Sequence, residues 1–154
     1  MRFYDWRTNV TLIDGVPVTG WAPGDDCFKA ERLQDMGTLE IGADGGATWS
    51  INPDKSGQVT VKLMQTSPTN AYLNKINLSQ ENLATFIPIQ VTQADPYRGD
   101  KVGTTLGVIK KMPNHDRGAK QNVVEWVFVF PELYTSLGDP TFAGVPTAIA
   151  EALG

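Results

Sequence analysis

The chain has 154 residues, a length that suits one domain able to bury its own core. It carries 13 Lys and Arg against 17 Asp and Glu, a net charge of −4 with no basic run, which argues against a nucleic-acid grip. A single cysteine, Cys27, and a single histidine, His115, exclude an internal disulfide and a zinc site built from the two of them.

Fifteen Gly and ten Pro break helices and mark turns, so the composition leans to a β-rich fold. The N-terminal "MRFYDWRTNV" lacks a signal-peptide pattern, and no segment is apolar over the length of a membrane helix. "NVTLIDGVPVTG" predicts two short strands around the turn Asp14-Gly15. "CFKAERL" (27–33) predicts a strand with mixed faces. Strands at 38–41 and 47–51 flank the turn 43–46. "QVTVKLMQT" (58–66) alternates with period two, so Val59, Val61 and Leu63 share one face while Thr60, Lys62 and Met64 share the other. Ser67 and Pro68 then open a helix as cap and first residue, with Tyr72, Leu73 and Ile76 along its buried face. "FIPIQVTQ" (86–93) reads as a strand whose Pro88 sends it to an edge or a bulge. Residues 101–112 read as one further strand. "NVVEWVFVFPEL" (122–133) is the most apolar segment and reads as a central strand covered on both faces. A Pro/Gly linker and a short helix, 146–153, end the chain.

Chemistry finds little to stand on. His115 lies in the turn "PNHDRG", where neighbouring Asp116 cannot orient it as a catalytic base. Cys27 follows two acids, which disfavour a thiolate. "PDKSG" lacks the glycines of a phosphate loop and places Asp54 where phosphate would sit. Glu31 and Glu40 read as solvated strand residues rather than a glycosidase pair. No catalytic residue, metal or cofactor is expected.

From about Val10 to Asn70 the order of features resembles the tail tube proteins of contractile-tailed bacteriophages: "VTLIDGVPVTG", an acidic turn, "CFKAERL", "IGADGG" and "PDKSGQVTVKLMQTSPTN", followed by a looser match at "VVEWVFVFPELYTSLG". The most specific piece is Asp54, Ser56-Gly57 and then 65–70, "QTSPTN". The resemblance implies a mainly β fold of two antiparallel sheets packed as a small barrel or sandwich, with one flanking helix and a C-terminal tail helix. It assigns 1–138 to the tube domain and 139–154 to a C-terminal extension. It further implies a structural role in the virion tail, after assembly in the host cytoplasm. Six copies form a ring, rings stack, and DNA and the tape measure protein pass through the lumen without specific binding. Sheath, baseplate and tail terminator proteins are the expected partners, and no membrane is. Tubes of type VI secretion systems and contractile bacteriocins share the fold and stay open as alternatives. A monomeric ligand-binding β-sandwich is the rival of another class.

Within this picture Glu31, Glu40, Thr60 and Lys62 are the candidates to face the lumen, where acidic residues would repel DNA. The hairpin region 42–57, with Asp44, Trp49, Ile51, Asp54 and Lys55, is expected to bury against a neighbouring subunit and help rings stack. The arm 1–7, with Phe3, Tyr4 and Trp6, is expected to pack on another subunit as well.

Overall fold

The computed structural model describes Met1 and residues 4–138. The strands run in chain order as β1 (Val10–Ile13), β2 (Val16–Pro17), β3 (Phe28–Arg32), β4 (Gly37–Ile41), β5 (Ala47–Ile51), β6 (Gly57–Met64), β7 (Val91–Asp95), β8 (Asp100–Thr104), β9 (Val108–Lys111), β10 (Val123–Phe130) and β11 (Leu133–Ser136). One α-helix, α1 (Thr69–Gln80), stands between β6 and β7. A five-stranded sheet is ordered β11-β8-β7-β1-β2, and a four-stranded sheet β3-β6-β10-β9. The hairpin β4-β5 pairs only with itself.

Alternation on β6 decides the core. Val59, Val61 and Leu63 are fully buried, and Trp126, Phe128 and Phe130 of the neighbouring β10 turn to the same side. Ile13, Val91 and Leu133 meet them from the five-stranded sheet, and Leu73 and Ile76 from α1. Fully burying a side chain of this kind is worth about 1.5–3 kcal/mol, so this slab is the main source of stability. The sheets approach closely at Gly57, where an added Cβ would collide with the Leu133 side chain.

The motif after β6 is a junction as well as a helix start. The Ser67 hydroxyl donates to the Thr19 carbonyl and accepts from the Thr69 amide at 3.3 Å, so it serves α1 from one residue outside the helix. Asn70 donates to the Met64 carbonyl at 2.9 Å and accepts the Trp126 indole N–H at 3.1 Å. Helix, β6 and β10 are thereby tied at one point.

Three expectations change. The sheets form an open sandwich and no closed barrel, because the chain crosses between them at corners rather than along a shared ladder. Residues 18–22 continue from β2 and come to lie along β6 through the single bridge Trp21↔Leu63, and Ile89↔Gly107 is a second single bridge. The expected strand 101–112 is two strands in different sheets, β8 and β9, split where Gly107 comes too close to the Val129 carbonyl for any side chain. β10 is covered on one face only: Glu125 is exposed and Val127 and Val129 are half-buried on the other. Strand pairing after Pro88 starts at Ile89 as a bridge and becomes continuous at Val91. The tail helix 146–153 lies outside the described residues.

Candidate assembly interface

The face of the four-stranded sheet turned away from the core is half-polar. In register, Lys29 stands beside Thr60 and Glu31 beside Gln58. On the other side of β6, Glu125 stands beside Lys62, Val127 beside Thr60 and Val129 beside Gln58. Glu31, Thr60 and Lys62, three of the four lumen candidates, therefore lie on one face of the sheet, with Glu31 exposed, Lys62 half-buried and Thr60 buried. Their charges are matched: Lys29 lies 3.8 Å from Glu31, and Lys62 lies 3.2 Å from Asp26. The surface is mixed in sign, not acidic. Glu40 is elsewhere, on the hairpin β4-β5 opposite Thr48.

That hairpin is two-faced. Leu39 pairs with Trp49, Ile41 with Ala47 and Gly37 with Ile51 on one side, while Thr38–Ser50 and Glu40–Thr48 pairs occupy the other. The apolar side has no cover from its own chain: Leu39 is 59 %, Ile41 62 %, Trp49 54 % and Ile51 78 % exposed. A two-stranded hairpin standing alone in water is marginal at best, and a contiguous apolar face of this kind marks a contact surface. The Trp49 indole lies across Gly37, where a Cβ would approach it to 2.5 Å. Its tip is closed by Gly42 donating to the Gly46 carbonyl at 2.7 Å and by Gly46 donating to the Asp44 carboxylate at 3.0 Å.

The root of the hairpin is built stiff. The Asp54 amide donates to the Asn52 side-chain oxygen (3.0 Å), the Ser56 amide donates to the Asp54 carboxylate (2.9 Å), and the Leu33 amide donates to the Ser56 carbonyl (3.1 Å). The hydrogen bonds from Ser56 hold the Asp54 carboxyl below its ordinary value. Arg32 donates to the Leu133 carbonyl at 3.0 Å, the Leu133 amide donates to the Lys55 carbonyl at 2.9 Å, and both cations stand over the Tyr134 ring. Asp54 and Lys55 thus fix the angle at which Trp49 and Ile51 are presented, and Asp44 shapes the tip.

Part of the N-terminal arm packs on its own chain. Trp6 meets Trp21 of its own chain edge-on at 5.2 Å, and Trp21 meets Phe28 at 6.3 Å. Thr8 donates to the Asp95 carboxylate at 3.2 Å. Tyr4 remains 64 % exposed, with the Arg98 guanidinium 5.4 Å from its ring. Phe3 lies outside the described residues.

Other surfaces were not legible from residue types alone. An apolar groove of about 380 Å³ is lined by Phe86, Pro88, Leu106, Val108, Val129 and Pro131 among others. The partners of Trp49 and Ile51 were within reach of the sequence: a hairpin centred on Asp44 puts Leu39 beside Trp49. The groove was not, because its walls come from three distant segments. A larger cleft of about 570 Å³, between the N-terminal turn, β3 and β8, includes Cys27, whose thiol is pushed up by burial. His115 sits in an exposed loop. Among the described residues no group of three or more His, Cys, Asp or Glu is arranged to hold a metal ion.

No curated protein matches the sequence. The family model of the bacteriophage PhiTE tail tube protein matches residues 14–138, a span that takes in both sheets from the β1-β2 turn onward, the two-faced hairpin and the mixed outer surface. The chain therefore belongs to this family of phage tail tube proteins, and it is a structural, non-enzymatic component of the virion tail.

Proposed function

We propose that copies of this chain pair edge to edge into hexameric rings, that the rings stack, and that the resulting tube conducts DNA from capsid to host. The observation that carries this reading is the open edge of β3. Hydrogen bonds from Leu33 to Ser56 and from Lys62 to Cys27 mark which residues of this strand face β6. By alternation the amides of Phe28, Ala30 and Arg32 point out of the sheet. The opposite edge is β9. Its first half is already engaged, since Gly107 pairs with Ile89 and the Ile109 amide donates to the Gln80 side chain at 2.9 Å. Its second half, with Lys110 and Lys111, is the part left to meet a neighbour.

Direction supports the match. β3 is antiparallel to β6, β6 to β10 and β10 to β9. Four alternating strands mean that a rotated copy presents its β3 antiparallel to the first copy's β9, so the ladder continues through the seam without reversal. Closing the ring removes an edge that would otherwise recruit strands at random. The surface bearing Glu31, Thr60 and Lys62 then lines the lumen. Lys29 is paired with Glu31 and Lys62 with Asp26. That leaves Lys110, held on Gln58, and Lys111, beside Val127, as cations of this face without an acid among the described residues, too little basic surface to hold DNA by counterion release. Sheath, baseplate and tail terminator proteins meet the outside and the ends of such a tube, and the tape measure protein shares its lumen.

Ala30→Pro tests the seam, because it removes an outward amide and no bond of the monomer's own ladder. The expected outcome is a folded monomer by circular dichroism that forms no rings in electron micrographs at concentrations where the unaltered protein does. Rings of normal size from a folded Ala30→Pro protein would overturn edge pairing through β3. An unaltered protein that stays monomeric at high concentration would favour the ligand-binding sandwich.

A further inference from the structure

We infer that the apolar face of the hairpin β4-β5 docks in the groove walled by Phe86, Pro88, Leu106 and Val108 of the neighbouring copy in the same ring. The inference rests on the ring reading above and names the partner surface of the hairpin.

Both features sit at one end of the sandwich. The last rung between β3 and β6 is Arg32↔Gly57, and the hairpin leaves the sheet there. Val129 pairs with Gln58 and Val108 with Val129, so the groove opens at that same end, on the β9 side. Within one copy the hairpin root joins β3 to β6, two to three strand spacings from β9, about 10–14 Å, and Ser56 of the root stands at the inner end of the groove. Across a β9-to-β3 seam the neighbour's hairpin root is the next strand along, and the groove's outer wall, Phe86 to Pro88, lies beside it. The five-residue strands of the hairpin extend about 17 Å, which covers the groove of a lateral neighbour. A hairpin reaching into the next ring would have to pass the full length of β6, about 27 Å for eight residues, to find that copy's groove. The groove is therefore within reach sideways and out of reach upward.

The chemistry matches. Leu39, Ile41, Trp49 and Ile51 are uncovered on one side, and Phe86, Leu106 and Val108 are exposed on the other, at 36 %, 57 % and 40 %. Glu40 and Asp44 near the tip have no cationic partner among the described residues, while Lys110 and Lys111 lie two and three residues beyond Val108 along β9, Lys110 donating to the Gln58 side chain at 3.2 Å. Trp49, large and held over Gly37, is the anchor of the contact.

Trp49→Ala and Leu106→Lys test it, since both side chains are exposed and their replacement leaves the core intact. Each variant is expected to need roughly tenfold or more protein to form rings, read as monomer by sedimentation where the unaltered protein is annular. Mixed preparations of Trp49→Cys and Leu106→Cys are expected to join into dimers with a short bismaleimide. Intact single rings that merely fail to stack would place the hairpin's partner on the next ring and overturn the inference while leaving the ring reading in place. Cross-linking of Leu106→Cys to Phe142→Cys in place of Trp49→Cys would assign the groove to the chain's own C-terminal segment and overturn it too. If the unaltered protein makes no rings at all, the ring reading fails first and the inference with it.

Discussion

At Gly20 a backbone requirement and a packing requirement coincide. Its φ is +74°, and a Cβ there would stand 2.6 Å from the Ser67 Cβ, on the side chain that ties the Thr19 carbonyl to the start of α1. Gly103 is the contrast: it lies on β8 with open space where a Cβ would go. Gly20→Ala is therefore expected to cost about 1–3 kcal/mol or more, and Gly103→Ala to be neutral or to stabilise by up to about 1 kcal/mol through the unfolded chain. Urea midpoints of the two variants against the unaltered protein measure this, and equal losses at both positions would contradict it. Single residues of this kind were partly legible in the sequence. Gly15 announced its turn beside Asp14, and both have positive φ, 81° and 52°. Gly20 and Gly57 carried no such signal, because what crowds them comes from Ser67 and Leu133, far along the chain.

Elements were legible where local pattern and tertiary demand agree. The two-residue period over 58–66 named the buried side of β6, and the helix after Pro68 buries the Leu73 and Ile76 expected of it. The pattern failed where a strand changes sheet. Residues 101–112 keep strand composition throughout, yet the chain must turn a corner at Gly107 to serve both layers. The same gap hid the role of Asn70. Its position in "SPTN" is that of an ordinary first-turn residue, but its side chain joins the end of β6 to the indole of buried Trp126. Asn70→Ala leaves that N–H without its acceptor and is expected to lower stability by about 1–3 kcal/mol. Asn70→Asp keeps the acceptor, gives up only the bond to Met64, and is expected to lose less. Denaturant melts followed by tryptophan fluorescence would separate them, and an Ala variant no worse than the Asp variant would mean the indole bond contributes nothing.

For the whole molecule the question is how a wall lets DNA slide. A net charge of −4 invites the idea of an acidic lumen, but charge summed over a sequence says nothing of which face carries it. Glu40, grouped with Glu31 by strand position alone, stands on a hairpin outside both main sheets, while Glu31 is offset by Lys29 and Lys62 by Asp26. Under the ring reading, passage then depends on local cancellation. Removing one sign tests it: Glu31→Gln with Asp26→Asn takes away the acid partners of Lys29 and Lys62 on the same surface, in every copy of the ring. Tubes of that variant are expected to retain short duplex DNA at low salt and release it as salt rises, because each neutralised phosphate frees a counterion. Unaltered tubes are expected to retain none under the same conditions, and assembly should be unchanged, since both acids are exposed and neither turns towards the core. Filtration of labelled duplex through purified tubes, repeated over a salt series, reads the difference. Equal retention by both would show that the surface bearing Glu31 and Lys62 does not face the lumen, and would turn attention to the five-stranded sheet.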